Sequence, residues 1–370
     1  MTSGGFVPPP YPYDRLDAFK DLAARHEGGV VDLSIGDPCD PPSRAVIEAL
    51  STSNAERGYP ASIGTEPFRV AARSWIQRKF DVEVPLAQIA ACVGSKEFVV
   101  TTPQWLKLRT PSRDTVLYPA VSYPSYAMGA VLSGCRSVPV PMTSTGGLDL
   151  SAISADDARR ALMIWMNTPS NPTGALDDIA GVVAWGRDHG VPVFSDECYV
   201  EFTWQGKPSS ALQYGTQGVV AVHSLSKRSN LAGLRVGFYA GDADLVNYLK
   251  EVRKHVGMMV PGPAQAAGVV ALNDDASVLQ QAERYQRRLQ RCATVLSTWS
   301  GCRIEQPAGG FYLWFDAGDG WAFAERLARE GGALVSPGDF YGAGGANNVR
   351  VAMVQPDERI ELIATRLGVL

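Results

Sequence analysis

The segment Ser224-Leu-Ser-Lys-Arg-Ser-Asn-Leu-Ala-Gly-Leu-Arg235 carries a lysine, two hydroxyls just ahead of it and an arginine eight residues on. A cofactor bearing both an aldehyde and a phosphate needs this set. Lys227 offers an amine nucleophile, Ser224 and Ser226 offer hydrogen-bond donors, and the forked guanidinium of Arg235 suits a phosphate dianion. Ser-x-Ser-Lys alone is a weak signal, since most lysines are solvated surface. Here the lysine directly follows an apolar run from Val219, where a bland charge is out of place.

Asp196, in Asp196-Glu-Cys-Tyr199, also follows an apolar run. A carboxylate there needs a cationic or hydrogen-bonding partner. A protonated ring nitrogen on the cofactor would be one, and Asp196 would keep that ring able to accept electrons. Tyr199 and Asn171 are candidates to hydrogen-bond a phenolic oxygen of the same ring. Standing alone, Asp196 reads as a turn or cap and Tyr199 as core. Gly94-Ser-Lys96 precedes Phe98, Val99, Thr102 and Leu106 at helical spacing. Small residues opening a helix leave backbone N–H groups and the positive dipole end facing an anion, although an ordinary serine cap has the same signature. Tyr123 could lay an aromatic face against the ring. Arg350, between Val349 and Val351, needs a carboxylate, supplied either by substrate or by an internal salt bridge.

These residues require a scaffold that brings distant segments to one edge. Ala161–Asn167 reads as a buried strand, Asp177–His189 as a helix stopped by Gly190, and Val191–Ser195 as the next strand. Strand, helix, strand predicts a parallel crossover, and further strands are expected near Val219–Ser224 and Arg235–Ala240. The fold class is α/β with a mostly parallel central sheet. Ligands of such sheets lie beyond the carboxyl ends of the strands, and Asn171 and Asp196 both fall there. From about Ser277 the pattern becomes a charged helix (283–298), a strand at Gly309–Phe315, a helix at Trp321–Glu330 and a strand at Asn348–Met353. This predicts a smaller α+β domain of residues 1–42 and 277–370 beside a large domain of 43–276.

The 370 residues are 45% apolar and 19% charged, with a formal net charge of -4 and no basic stripe, which argues against a nucleic-acid partner. No run is long and apolar enough for a membrane span, and Met1–Pro12 lacks the features of a secretory signal. Six scattered cysteines and four histidines show neither disulfide nor metal-ligand spacing. The expectation is a cytoplasmic enzyme with reduced thiols and no metal.

In order, Ser34-Ile-Gly-Asp-Pro38, Gly58-Tyr59, Gly94-Ser-Lys-Glu97, Asn171-Pro-Thr-Gly174, Asp196-x-x-Tyr199, Ser224-x-Ser-Lys227, Gly309-Gly-Phe311 and Arg350 resemble the class I/II aminotransferases, pyridoxal-5′-phosphate enzymes of fold type I. The resemblance implies that Lys227 carries the cofactor covalently and that Asp196 binds its pyridine nitrogen. It places Asn171 and Tyr199 on the phenolic oxygen and Tyr123 on the ring face. Ser224, Ser226, Arg235 and the Gly94–Lys96 backbone hold the phosphate, while Arg350, Asn171 and the Gly36 backbone take substrate. Tyr59 reaches the phosphate of a neighbouring subunit, which implies a homodimer. Thr65-Glu-Pro-Phe-Arg69 departs from the family's usual Leu-Pro-x-Leu-Arg. Pro10–Leu16, Gly29–Pro41, Ser226–Gly233 and Ser336–Gly342 are similar to actinobacterial succinyldiaminopimelate aminotransferases, with glutamate and 2-oxoglutarate as the amino pair. Alternatives are a broad-specificity aspartate- or aromatic-type aminotransferase and, more remotely, a β-lyase. A regulator built on the same fold is remoter still, because no DNA-binding domain accompanies it.

Overall fold

The computed structural model describes residues 5–369. Its first strand is β1 (Val31–Asp32). Seven strands then build the central sheet: β2 (Ile89–Cys92), β3 (Thr115–Pro119), β4 (Arg136–Val140), β5 (Ala161–Asn167), β6 (Val193–Asp196), β7 (Val219–Ser224) and β8 (Gly237–Gly241). The C-terminal part adds β9 (Tyr312–Asp316), β10 (Ala333–Leu334), β11 (Ser336–Pro337) and β12 (Asn348–Ala352).

The central sheet runs β2-β8-β7-β6-β5-β3-β4, and only β8 is antiparallel to its neighbours. Every residue of β5, β6 and β7 is buried, as expected where helices cover both faces of a parallel sheet. Alternation sends Trp165 and Phe194 into one layer with Phe98, Tyr126 and Tyr239. Ile164, Met166 and Val193 enter the other with Val182 and Val183. The helix joining β5 to β6 spans Ile179–His189. The Asp178 carboxylate caps its start by accepting from Gly181 N–H, and Gly190 ends it at φ 58°. The strand after it starts two residues later than its sequence suggested and includes Asp196 as its last residue.

In the smaller domain β11, β12 and β9 form an antiparallel sheet. A helix from Asp275 to Ser300 packs on it, longer at both ends than its charge pattern implied, because Asp274 caps its start by accepting from Ser277 N–H and Gly301, at φ 76°, ends it. The N-terminal segment packs against these elements. β1 pairs in parallel with β10, and Val31 and Leu33 enter one core with Tyr285, Leu289, Phe311 and Val351. No helix among the described residues is long and apolar enough to cross a membrane.

Candidate active site

The register of the sheet assembles one rim. Asn167 lies opposite Asp196, Ser224 opposite Gly237, and Gly237 opposite Cys92. Strands β2, β5, β6 and β7 therefore end where β8 begins. The segments leaving that edge carry Ser95, Asn171, Tyr199, Lys227 and Arg235, and Tyr123 follows β3. Across the rim the smaller domain presents Gly36 and Arg350, and these residues line one cleft together with Lys96, Asp196, Ser224 and Ser226. Gly94 lies at its wall: a Cβ there would overlap the Arg235 guanidinium. Tyr59 is the exception, 98% exposed and outside the cleft of this single chain. The divergent Thr65–Arg69 stretch opens the helix Glu66–Phe80 and does not line the cleft.

Lys227 Nζ donates to the carbonyl of Gly36. Burial pulls its ammonium down to about 8, which nearby Asp37 partly opposes. Asp196 is buried at the end of β6, and burial raises its carboxyl while hydrogen bonds from Cys198 and Tyr126 hold it down. Tyr126 Oη donates to its Oδ2 at 2.8 Å and the Cys198 N–H to its Oδ1 at 3.2 Å. No cation within ion-pair reach balances this carboxylate among the described residues. Asn167 braces the same corner, its Nδ2 donating to the Asp196 carbonyl at 2.9 Å and its Oδ1 accepting from Asn171 N–H at 2.7 Å.

Arg350 is 1% exposed and held by neutral acceptors. Nη1 donates to Asn171 Oδ1 at 2.8 Å, and Nη2 donates to the Ser34 carbonyl and to Tyr13 Oη. Its guanidinium lies 4.2 Å over the Tyr312 ring, and its Nε is buried without a partner. Arg235 takes a left-handed backbone, φ 54°, rare for a side chain of this size, and donates from Nη1 to the Ala232 carbonyl. Gly94 at φ 73° brings the start of the helix Ser95–Arg109 against it. A guanidinium, helix-opening N–H groups and the capping hydroxyl of Ser224 thus border a place for a dianion, beside a lysine amine and an unbalanced carboxylate. Pyridoxal 5′-phosphate fits these groups.

Sequence reasoning assigned no role to Tyr126, Tyr312, Asn167, Tyr13 or Tyr11, which also line the cleft. Each lies in a segment read for another residue. Their one legible signal was that a phenol or amide in an apolar stretch needs a polar partner.

Residues 28–367 match the family described as "Aminotransferase class I and II". The chain is 39% identical to 4-dedimethylamino-4-oxo-anhydrotetracycline transaminase OxyQ of Streptomyces rimosus, over 97% of this chain and 99% of that protein. It is 34% identical to LL-diaminopimelate aminotransferase of Aquifex aeolicus, over 98% and 96%. A solved structure described as "probable N-succinyldiaminopimelate aminotransferase" from Thermus thermophilus superposes with a TM-score of 0.85 at 30% identity, covering 96% of this chain and 98% of that one. A family match that spans both domains, and relatives that align nearly end to end, agree with the cleft's chemistry: the chain belongs to the class I and II aminotransferases, enzymes that work with pyridoxal 5′-phosphate.

Proposed function

We propose that this aminotransferase moves an amino group between N-succinyl-LL-2,6-diaminopimelate and 2-oxoglutarate, forming glutamate. The observation that carries the reading is a surplus of cations. Lys96, Arg235 and Arg350 all line the cleft, and among the described residues no carboxylate lies within ion-pair reach of any of them. Lys96 Nζ meets phenols rather than carboxylates: it donates to the Tyr11 hydroxyl at 3.4 Å and lies beside Tyr123. Three unbalanced cations suit three anions: a phosphate at Arg235, an α-carboxylate at Arg350 and a second carboxylate at Lys96. Glutamate, 2-oxoglutarate and the succinyl group each bring a further carboxylate. The motifs between Pro10 and Pro41 and around Ser226 and Ser336 support the same substrate. The name of the Thermus relative points to the same substrate, and that of the Aquifex relative to diaminopimelate without the succinyl group.

In this reading residues 43–276 hold the cofactor, and 1–42 with 277–370 supply Gly36 and Arg350 for the substrate carboxylate. Bound there, pyridoxal 5′-phosphate supplies an aldehyde carbon that links to amines and a ring that accepts electrons. Lys227 holds it through Nζ. With its ammonium drawn toward neutrality by burial, the same Nζ would serve as the base that takes the proton from substrate Cα. Asp196, as carboxylate, keeps a proton on the ring nitrogen. Tyr199 Oη and the Asn171 amide would donate to the ring oxygen, and Tyr123 would cover one face. Ser224, Ser226, Arg235 and the Gly94–Lys96 backbone hold the phosphate. Tyr59, exposed here, would complete that grip in a neighbouring copy, making a homodimer.

The 39% identity to OxyQ favours a second reading, a transaminase for a bulkier oxo compound. Steady-state rates on a panel of amino donors separate the readings. The proposal predicts kcat/KM for N-succinyl-diaminopimelate at least about 10²-fold above aromatic amino acids, which lack a second carboxylate, a ratio that one charge-assisted contact supplies. Equal values across the panel would overturn it, and pyruvate release from cystathionine would reveal β-elimination instead.

A further inference from the structure

Tyr199 and Tyr312 meet hydroxyl to hydroxyl at 2.8 Å, and both side chains are buried. Tyr199 stands three residues beyond β6 in the large domain, and Tyr312 opens β9 in the smaller one, so this bond joins the two halves of the cleft. The Tyr312 ring also carries the Arg350 guanidinium on its face. Its hydroxyl packs so closely on Gly36 that a Cβ there would overlap it. The same Gly36 accepts the hydrogen bond from Lys227 Nζ. One phenol therefore touches the surroundings of the substrate carboxylate, the cofactor lysine and the cofactor-facing tyrosine.

Two phenols that share one hydrogen bond cannot both donate in it. If Tyr199 donates to the ring oxygen, its own oxygen is left to accept from Tyr312. We propose that Tyr312 is a positioning residue: its O–H donates to Tyr199, turns the Tyr199 O–H toward the cofactor's ring oxygen and strengthens it as a donor. Consecutive hydrogen bonds polarise one another in a dry site, and a cation over a phenol ring makes its O–H a better donor. The charged and titratable groups around the pair are Arg350 from β12, Tyr13 from the N-terminal segment, Tyr123 after β3 and Cys198 beside Tyr199. Lys227 and Asp196 line the same cleft. The inference rests on the roles given above to Lys227 and Tyr199.

Tyr312→Phe removes the hydroxyl and keeps the ring under Arg350. The test is an absorbance titration of protein loaded with pyridoxal 5′-phosphate, comparing wild type, Tyr312→Phe, Tyr199→Phe and the double variant. A donor to the ring oxygen favours its anion, so weakening that donor raises the pH at which the bound chromophore gives up its proton. Tyr312→Phe should raise this midpoint by about half a pH unit and Tyr199→Phe by more. The double variant should match Tyr199→Phe alone, because Tyr312 acts through Tyr199. An unchanged midpoint in Tyr312→Phe, or additive shifts in the double variant, would overturn the proposal. Lys227→Ala separates the underlying reading. If it keeps the wild-type titration, the cofactor assignment fails and the role of Tyr312 falls with it.

Discussion

An ammonium in a dry cleft gives up its proton more readily than one in water, and a carboxylate there holds its proton more firmly. Lys227 and Asp196 show the two halves of that rule. Burial pushes the Asp196 carboxyl upward, and a ring cation brought beside it would favour the ionised form. Asp196→Asn keeps shape and hydrogen bonding to Tyr126 but cannot hold that cation. It should fold normally, retain covalently bound cofactor and lower kcat by about 10²-fold or more in stopped-flow or steady-state assays. Near-normal turnover would remove the electron-sink role. Lys227, Asp196 and Arg350 were legible in sequence because charged side chains beside apolar runs demand a reason. Tyr126 and Tyr312 were not, since a buried tyrosine looks the same from its neighbours whether it packs or donates.

The elements position these residues through strand ends and helix starts. Ser95–Arg109 was legible from its apolar spacing, and so was the alternation that buries β5 to β7. What spacing does not contain is which strands lie side by side. β2 pairs with β8, about 150 residues on, and this pairing alone carries Gly94 to Arg235. Gly94→Ala tests that juncture. Its φ of 73° disfavours a side chain, and the added carbon would push the guanidinium away. Affinity for pyridoxal 5′-phosphate should fall about tenfold, the worth of one charge-assisted hydrogen bond, while affinity for unphosphorylated pyridoxal stays the same. Fluorescence titrations with both compounds measure the difference, and equal losses would place the damage elsewhere.

At the scale of the molecule, the N-terminal segment is tied to the C-terminal domain by charge as well as by core packing. Arg288, on the helix Asp275–Ser300, donates from Nη1 and Nη2 to the two oxygens of Asp40 and from Nε to Asp357. Hydrogen bonds from Arg288 and Gln281 hold the Asp40 carboxyl below its ordinary value against burial. With the folded value below the unfolded one, the tie stabilises the protein above the unfolded value. That stability is lost as pH falls through the folded one. Asp40→Asn should cost roughly 2 kcal/mol at neutral pH and flatten the acid limb of a stability-against-pH curve measured by urea unfolding. An unchanged acid limb would show that Asp40 carries none of it. That the N-terminal segment packs with the C-terminal part could be suspected from Pro and Gly punctuation near residues 36–42. The β1–β10 pairing that joins them joins residues some 300 positions apart, which no local pattern encodes.

In the proposed chemistry one amine, Lys227 Nζ, holds the cofactor covalently. Borohydride reduction of protein loaded with pyridoxal 5′-phosphate, followed by peptide mapping, should place the label on the peptide containing Lys227 and leave Lys227→Ala unlabelled. Label on another lysine, or none in the wild type, would contradict it.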